Sequence, residues 1–334
     1  MRQYTIKDIA KELGISPSTV SRALSGHPDI SDKTSAKVKE LAARFNYQPN
    51  LVAKSLQQKH SSTIGVIVPE IRHDFFAATI SGIEQVAYDA GYATMLCQSH
   101  ESLLRESTNI RALVGQRIAG LLITASCETK DTAHFAPARQ SHIPVVMFDR
   151  VPEDFTGSSV TVSDEQGAYD ITCLLIKKGY RRIAHIGGWQ HLPVGRARHA
   201  GFIRALSEAG IKPRPDYILE GGFDEKDGKQ GAERLFALPQ PPDAIMCATD
   251  PIAVGVYTAA RERSLSIPQD IAVSGFSDNP LSELVTPTLT TVHQPAFEIG
   301  RTSALLLLDI IAGNAGSSPV NVTLPTRVVE RESA

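Results

Sequence analysis

From Thr63 to Phe276 the chain repeats one pattern, a short and nearly unbroken apolar run followed by a longer amphipathic stretch. The runs are "TIGVIV" (63–68), "YATMLC" (92–97), "IAGLLIT" (118–124) and "PVVMF" (144–148), then "RIAHIGG" (182–188), "YILEG" (217–221), "AIMCA" (244–248) and "IAVSGF" (271–276). A strand with one wet face alternates apolar and polar residues, so an unbroken apolar run predicts a strand buried on both faces. Helical stretches between such runs predict parallel sheets covered on each side. Two series of this kind predict two similar subdomains, with first strands at 63 and 182. Open parallel sheets bind ligands outside the carboxyl ends of their strands, which predicts a cleft there.

The first sixty residues carry a different pattern and a different charge. Residues 1–60 hold 10 Lys/Arg against 5 Asp/Glu, a balance of +5, and the remaining 24 basic and 31 acidic side chains leave the rest of the chain at −7. A compact basic unit on a mildly acidic body suits phosphate-backbone binding by one end, although a solvated helical surface gives the same excess. Three short helices are marked by start and stop residues. Thr5 with Asp8 forms a capping box ahead of "IKDIAKEL", which Gly14 ends. Ser16 caps the next helix, with Pro17 in its first turn and Gly26 closing it. Ser31 caps "DKTSAKVKELAARF", with Asp32 at the favourable end of the helix dipole. Ile6, Ile9, Ala10, Leu13, Ile15, Val20, Leu24, Ile30, Val38, Leu41 and Phe45 supply one shared core.

Two helices joined across "LGIS" make a helix-turn-helix, whose second helix enters the DNA major groove with its N-terminal residues at base edges. Those residues are Pro17, Ser18, Ser21 and Arg22. The planar fork of Arg22 matches guanine O6 and N7; as a phosphate contact or a plain surface charge it would read no sequence. Thr5, Ser16, Thr19, Asn46, Tyr47 and Asn50 are placed to donate to the DNA backbone and fix register.

The run "TIKDIAKELGISPSTVSRALSG", continued in "ISDKTSAKVKELAARFNYQPNLVAKSL", resembles the N-terminal module of the lactose-repressor (LacI/GalR) family of bacterial transcription regulators. The resemblance covers the first sixty residues almost position for position and continues more weakly to the C-terminus. It implies an all-α helix-turn-helix headpiece (1–48), a hinge helix and linker (49–62), and an α/β body of two Rossmann-like parallel-sheet subdomains, similar to a periplasmic sugar-binding protein. The body would divide into an N-terminal subdomain (63–162 and 293–334) and a C-terminal subdomain (163–292), with crossings near Val162, Val292 and Pro319. "NLVAKSLQQ" (50–58) is too short for a stable isolated helix. The resemblance implies that it folds on DNA beside its dimer mate, with Ala53 and Leu56 toward the DNA and Leu56 wedged into the minor groove. An exposed leucine in a flexible linker is the plain alternative. Family members open the recognition helix with a pair such as Tyr-Gln, whereas this chain has Pro17-Ser18, so no operator preference carries over.

Matching the family motif residue by residue implies effector contacts at Phe75 or Phe76, Asp149, Arg198, Phe223, Asp250, Asp278 and Gln294. The chemistry suits a small carbohydrate, since Arg and Asp each satisfy two vicinal hydroxyls and an aromatic face covers the apolar side of a ring. Other roles fit the same residues. Phe75 and Phe76 suit a core, Asp149 and Arg150 could pair with one another, and Asp250-Pro251 is a good helix start. Many family members have Asn-Pro before the paired aromatics and Gly-Pro after the strand at 183–187. Here stand His73-Asp74 and Gly188-Trp189-Gln190-His191, which puts the only tryptophan on a loop expected to line the cleft.

No apolar run approaches the roughly 18 residues of a membrane helix, and the opening segment lacks the apolar core of a signal peptide, so a cytoplasmic protein with no membrane partner is expected. Cys97, Cys127, Cys173 and Cys247 show no C-x-x-C pair and no His at metal spacing; they are expected to be reduced structural thiols, with no metal or cofactor. G-x-G-x-x-G after a strand, G-x-x-x-x-G-K-[ST], H-E-x-x-H and G-x-S-x-G are missing, so no catalytic residues are assigned. An enzyme reading reduces to a glycoside hydrolase with Asp149 and Asp164 as paired carboxylates, and a sugar-transport component would need an export signal. The expectation is a sequence-specific transcriptional repressor. A carbohydrate-like effector between the subdomains would alter the spacing of two headpieces on a pseudo-palindromic double-stranded DNA operator. No leucine heptads follow the body, so a homodimer is expected rather than a coiled-coil tetramer.

Overall fold

The computed structural model describes residues 4–45, 47, 61–316 and 318–334. The chain divides into two compact units, Met1–Ser61 and Ser62–Ala334. Asn46 and the expected hinge helix, with Asn50, Ala53 and Leu56, lie outside the described residues.

The first unit holds α1 (Ile6–Leu13), α2 (Pro17–Leu24) and α3 (Asp32–Arg44). The terminal signals act locally. The Asp8 carboxylate accepts from the Thr5 N–H at 2.8 Å, and Gly14 takes a left-handed φ of 65°. The Ser16 and Ser31 hydroxyls accept from the backbone N–H of Thr19 and Thr34. Helices of 8, 8 and 13 residues are marginal by themselves in water, so packing holds them. Ile9, Val20, Val38 and Leu41 form the buried centre, each contributing about 1.5–3 kcal/mol relative to exposure.

The second unit contains two parallel sheets. The first runs in the order β11-β5-β4-β3-β1-β2, with β1 at Thr63–Val68, β2 at Ala93–Gln98, β3 at Gly120–Ile123, β4 at Val145–Phe148, β5 at Ser158–Val162 and β11 at Asn321–Leu324. The second runs β7-β6-β8-β9, with β6 at Ile183–Gly187, β7 at Ile218–Glu220, β8 at Ala244–Cys247 and β9 at Ala272–Ser274. Strands β3, β6 and β8 are buried throughout, as their unbroken apolar runs require. Alternate residues of β1 serve opposite faces. Ile64 and Val66 pack with residues of α4 (Asp74–Asp89) and α11 (Ala296–Ile311), while Ile67 packs with those of α5 (Leu103–Gly115) and α6 (Ala136–Gln140). In the second sheet, α7 (Asp164–Lys177) and α8 (Pro193–Glu208) share one core with the strands, and α9 (Glu225–Phe236) and α10 (Asp250–Glu262) the other. Helices α4 and α11 meet through glycine: a Cβ on Gly300 would stand 1.9 Å from the Thr79 carbonyl oxygen, so no larger side chain fits.

Strands β10 (Thr291–His293) and β12 (Arg327–Val329) form a separate antiparallel pair. The third crossing between lobes differs from the one expected near Pro319. The Val320 N–H still donates to Ser158 Oγ at 3.0 Å, and β11 runs parallel to β5 as far as Leu324. Pro325 has no N–H with which to extend that ladder. Beyond it β12 turns antiparallel to β10, and Ser333 Oγ donates to the Val273 carbonyl at 2.6 Å. Residues 327–334, assigned on sequence to the first subdomain, therefore lie against the second. Among the described residues, no helix is long and apolar enough to cross a membrane.

Candidate effector cleft and nucleic-acid face

On the headpiece, Ser16, Pro17, Ser18 and Arg22 are exposed, while Thr19, Ser21 and Tyr47 are half-buried. At the start of α2 the Ser16 hydroxyl gathers those of Ser18 (2.7 Å) and Thr19 (2.8 Å), beside the helix N–H groups. This places small donors at the end of the helix that carries partial positive charge, where a phosphate oxygen is stabilised. Thr5 is less available, because its hydroxyl already donates to Asp8 at 2.6 Å. Arg22 has no carboxylate partner among the described residues, whereas Arg44 stands 3.5 Å from Glu12. An unpaired guanidinium on the exposed side of a second helix is free to meet a base edge or a phosphate.

In the body, the loops at the carboxyl ends of both sheets converge on a cavity of about 740 Å³ counted with its open mouth. Phe75 and Phe76 come from the start of α4, Asp149 and Arg150 from the end of β4, Phe223 from beyond β7, and Ser277, Asn279 and Gln294 from beyond β9 and β10. Val194 and Arg198 project from α8, and Trp189 from the loop before it. Six of the expected effector residues line this space: Phe75, Phe76, Asp149, Arg198, Phe223 and Gln294.

Arg198 is buried and held from several sides. Its Nε and Nη2 meet Asp164 Oδ1 at 2.8 and 2.7 Å, its Nη1 donates to the Ala248 carbonyl at 2.6 Å, and its Cζ lies 3.9 Å from the Phe276 ring centroid. Asp164 is thereby committed to Arg198, which removes it as a partner carboxylate for Asp149. Asp149 sits at a left-handed φ of 59°, with its carboxylate buried at the cavity wall. Burial, reinforced by the charge of Asp164, pushes its pKa up to about 6 against the opposing pull of Arg150.

Asp149 and Arg150 do not form a close pair, since their nearest charged atoms are 3.8 Å apart. Arg150 instead donates from Nη1 to both Glu101 oxygens at 2.8 and 2.9 Å, with its guanidinium over the rings of Phe223 (5.0 Å) and Phe76 (5.8 Å). Trp189 stands edge-on to Phe223 at 5.2 Å. That ring needs Gly188 beneath it, as a Cβ there would come within 1.9 Å of it. Gln294 accepts the Ser277 hydroxyl at Oε1 (2.9 Å), and its Nε2 is buried without a partner.

Asp250 and Asp278 fall outside the lining. Asp250 is buried, and its carboxylate accepts from Thr291 Oγ1 (2.5 Å), the Asn279 N–H (2.7 Å) and Ser282 Oγ (3.0 Å), bracing the loop after β9. Thr249, not Asp250, caps α10 through its hydroxyl. Asp278 turns to Arg331 (2.8 Å) and His293 (2.9 Å), and its neighbour Ser277 faces the cavity in its place. The cavity-facing position on this loop is thus one residue earlier than expected and neutral. Glu101, Arg150 and Thr249 also line the space and were not among the expected effector contacts.

Side-chain bridges run from lobe to lobe, among them the pair of Arg196 with Glu153. Arg72 and His73, after β1, meet Asp224, after β7, at 2.8 and 3.3 Å. His191 Nε2 contacts the Cys127 carbonyl at 2.5 Å. The Arg72, His73 and Asp224 side chains line the cavity.

Residues 5–50 match the family described as bacterial regulatory proteins, lacI family, and residues 173–334 match the periplasmic binding protein-like domain. Catabolite control protein A of Priestia megaterium is 34% identical over 330 residues, covering 98% of each chain. The Lac repressor dimer bound to operator and the anti-inducer ONPF superposes with a TM-score of 0.89 at 28% identity, over 99% of each chain. The complex of the transcriptional regulator CelR with cellobiose gives 0.76 at 27%, over 99% of this chain and 100% of that one. Relatives this similar over nearly the whole length show the family, and the chain belongs to the lacI family of bacterial regulatory proteins.

Proposed function

We propose that the chain is a transcriptional repressor that acts in the cytoplasm as a homodimer on a pseudo-palindromic operator and is controlled by a small sugar or sugar derivative. Its parts are a headpiece (1–48), a hinge and linker (49–62), and a body whose lobes comprise 63–162 with 293–326 and 163–292 with 327–334. The observation that carries the proposal is the joining, in one chain, of a helix-turn-helix bearing the unpaired Arg22 to a cavity holding the unpartnered Gln294 amide. Pro17, Ser18, Ser21 and Arg22 would face bases; Ser16, Thr19 and Tyr47 would contact the backbone, with Asn46, Asn50, Ala53 and Leu56 extending the contact toward the minor groove.

Phe75, Phe76, Asp149, Arg198, Phe223 and Gln294 would contact the effector, with Asp250 and Asp278 bracing the loop behind Ser277. The apolar edge strand β2 supports the dimer. Its Met95 and Leu96, with Tyr88 and Leu104 nearby in sequence, are large exposed hydrophobic side chains, and an uncovered apolar edge favours pairing with another chain. A ligand that changes the angle between lobes would shift operator affinity by the 1–3 kcal/mol typical of such couplings, or about 5–150-fold. Selection of bound DNA from a random pool tests the proposal. Enrichment of a two-fold symmetric site is expected, and recovery of no related sequences would refute it.

A further inference from the structure

Resting on that effector-site reading, the geometry points to a cavity built for an uncharged polyhydroxy ligand and against phosphorylated or carboxylated ones. Three arginines line it, and each is already claimed by a carboxylate. Arg72 meets Asp224 at 2.8 Å, Arg150 meets both Glu101 oxygens at 2.8 and 2.9 Å, and Arg198 meets Asp164 at 2.7 Å. Arg150 and Arg198 are buried and stacked on aromatic rings, so an incoming anion would have to displace Glu101 from the first or strand the buried Asp164 carboxylate of the second.

The uncommitted groups have the opposite preference. No described side chain or backbone N–H donates a hydrogen bond to the Asp149 carboxylate, which faces the cavity and repels a second anion. Gln294 Nε2 is a buried donor with no acceptor. Asp149 therefore lacks a donor and Gln294 lacks an acceptor, and hydroxyl groups supply both. A phosphate supplies only the second and adds charge beside Asp149.

Trp189, the only tryptophan, lines the cavity against Phe223 and reports occupancy directly. Its fluorescence in the full chain should be titrated with D-ribose, D-glucose and cellobiose, each beside its terminal phosphate ester, with calorimetry in parallel. At least one free sugar should bind saturably, and its ester should bind about tenfold more weakly or worse, as like charges at an interface dictate. Glu101→Gln, which releases Arg150, should narrow that gap by raising affinity for the ester. An ester that binds as tightly as its parent sugar overturns the exclusion and leaves the cleft as an effector site. Unchanged discrimination in folded Glu101→Gln overturns the ion pairing as its cause. Saturable binding of none of the six compounds overturns the effector-site reading, and this inference with it.

Discussion

Arg22 on the second helix of the headpiece and Arg198 on the wall of the cleft are the same side chain in opposite electrostatic settings. Arg22 is exposed and has no carboxylate partner among the described residues; Arg198 is buried and tied to Asp164. The basic headpiece keeps its charge available for a polyanion, at the expense of self-repulsion that solvent and salt screen. The acidic body neutralises each arginine that lines its cavity, which converts a cation into a rigid, directional set of donors. One chain thus presents charge at one end and removes it at the other. That division fits a protein that holds DNA by one part and senses an uncharged solute by the other.

Breaking the buried pair should have the largest effect. Arg198→Ala strands Asp164, and loss of one partner of a buried pair costs about 3–5 kcal/mol. Urea unfolding should report that loss, and the folded fraction should lose its ligand response while still binding DNA. Asp149 probes the same wall in the other direction. Burial lifts its pKa from 3.8 to about 6, so between those values the folded chain holds the proton more tightly than the unfolded chain does. The ionised carboxylate therefore lowers stability above pH about 6, by on the order of 3 kcal/mol, and the loss is relieved as pH falls toward 4. Asp149→Asn should raise stability at pH 7 by about 2 kcal/mol, flatten this part of the pH profile and weaken sugar binding, all measurable by denaturation and titration across pH 4–8.

On the headpiece side, Arg22→Ala removes no ion pair among the described residues, so unfolding should hardly change. Operator affinity should fall by about 1–3 kcal/mol, with relaxed preference at one base pair per half-site, as binding to single-substitution operators would report. The smallest effect belongs to the bridge at the cleft mouth. Arg72 and Asp224 keep 59% and 40% of their side chains in solvent, so Arg72→Ala should cost no more than about 1 kcal/mol, and less at high salt. A loss as large as that of Arg198→Ala would show that the mouth, not the buried wall, dominates the cleft's electrostatics.

Much of this organisation is legible in residue pattern alone. Unbroken apolar runs mark the buried strands, caps at Thr5, Ser16 and Ser31 mark the headpiece helices, and the strand-end rule predicts the cleft, while Phe75, Asp149, Arg198 and Gln294 come from the resemblance to the lactose-repressor family. The rest depends on partners far apart in sequence. Glu101 reaches Arg150, 49 residues away, because His100 and Glu101 take left-handed backbone turns. Ser277, at φ 134°, and Asp278, at φ 59°, turn the acidic side chain toward Arg331, 53 residues on, leaving a serine at the cavity where an aspartate was expected. "VNVTL" and "TRVVE" resemble a hairpin in one lobe, yet Pro325 separates strands of two different sheets. Short-range pattern cannot report which of two nearby sheets a three- or four-residue strand will join.

Headpiece and cleft can be read together in one measurement. The Kd of the full chain for its selected operator should be determined with and without a saturating sugar that Trp189 fluorescence shows to occupy the cleft, in parallel for wild type and Arg198→Ala. Operator Kd should change about 5–150-fold in wild type and not at all in the variant. A sugar that fills the cleft of the wild type and leaves operator Kd unmoved would contradict that coupling.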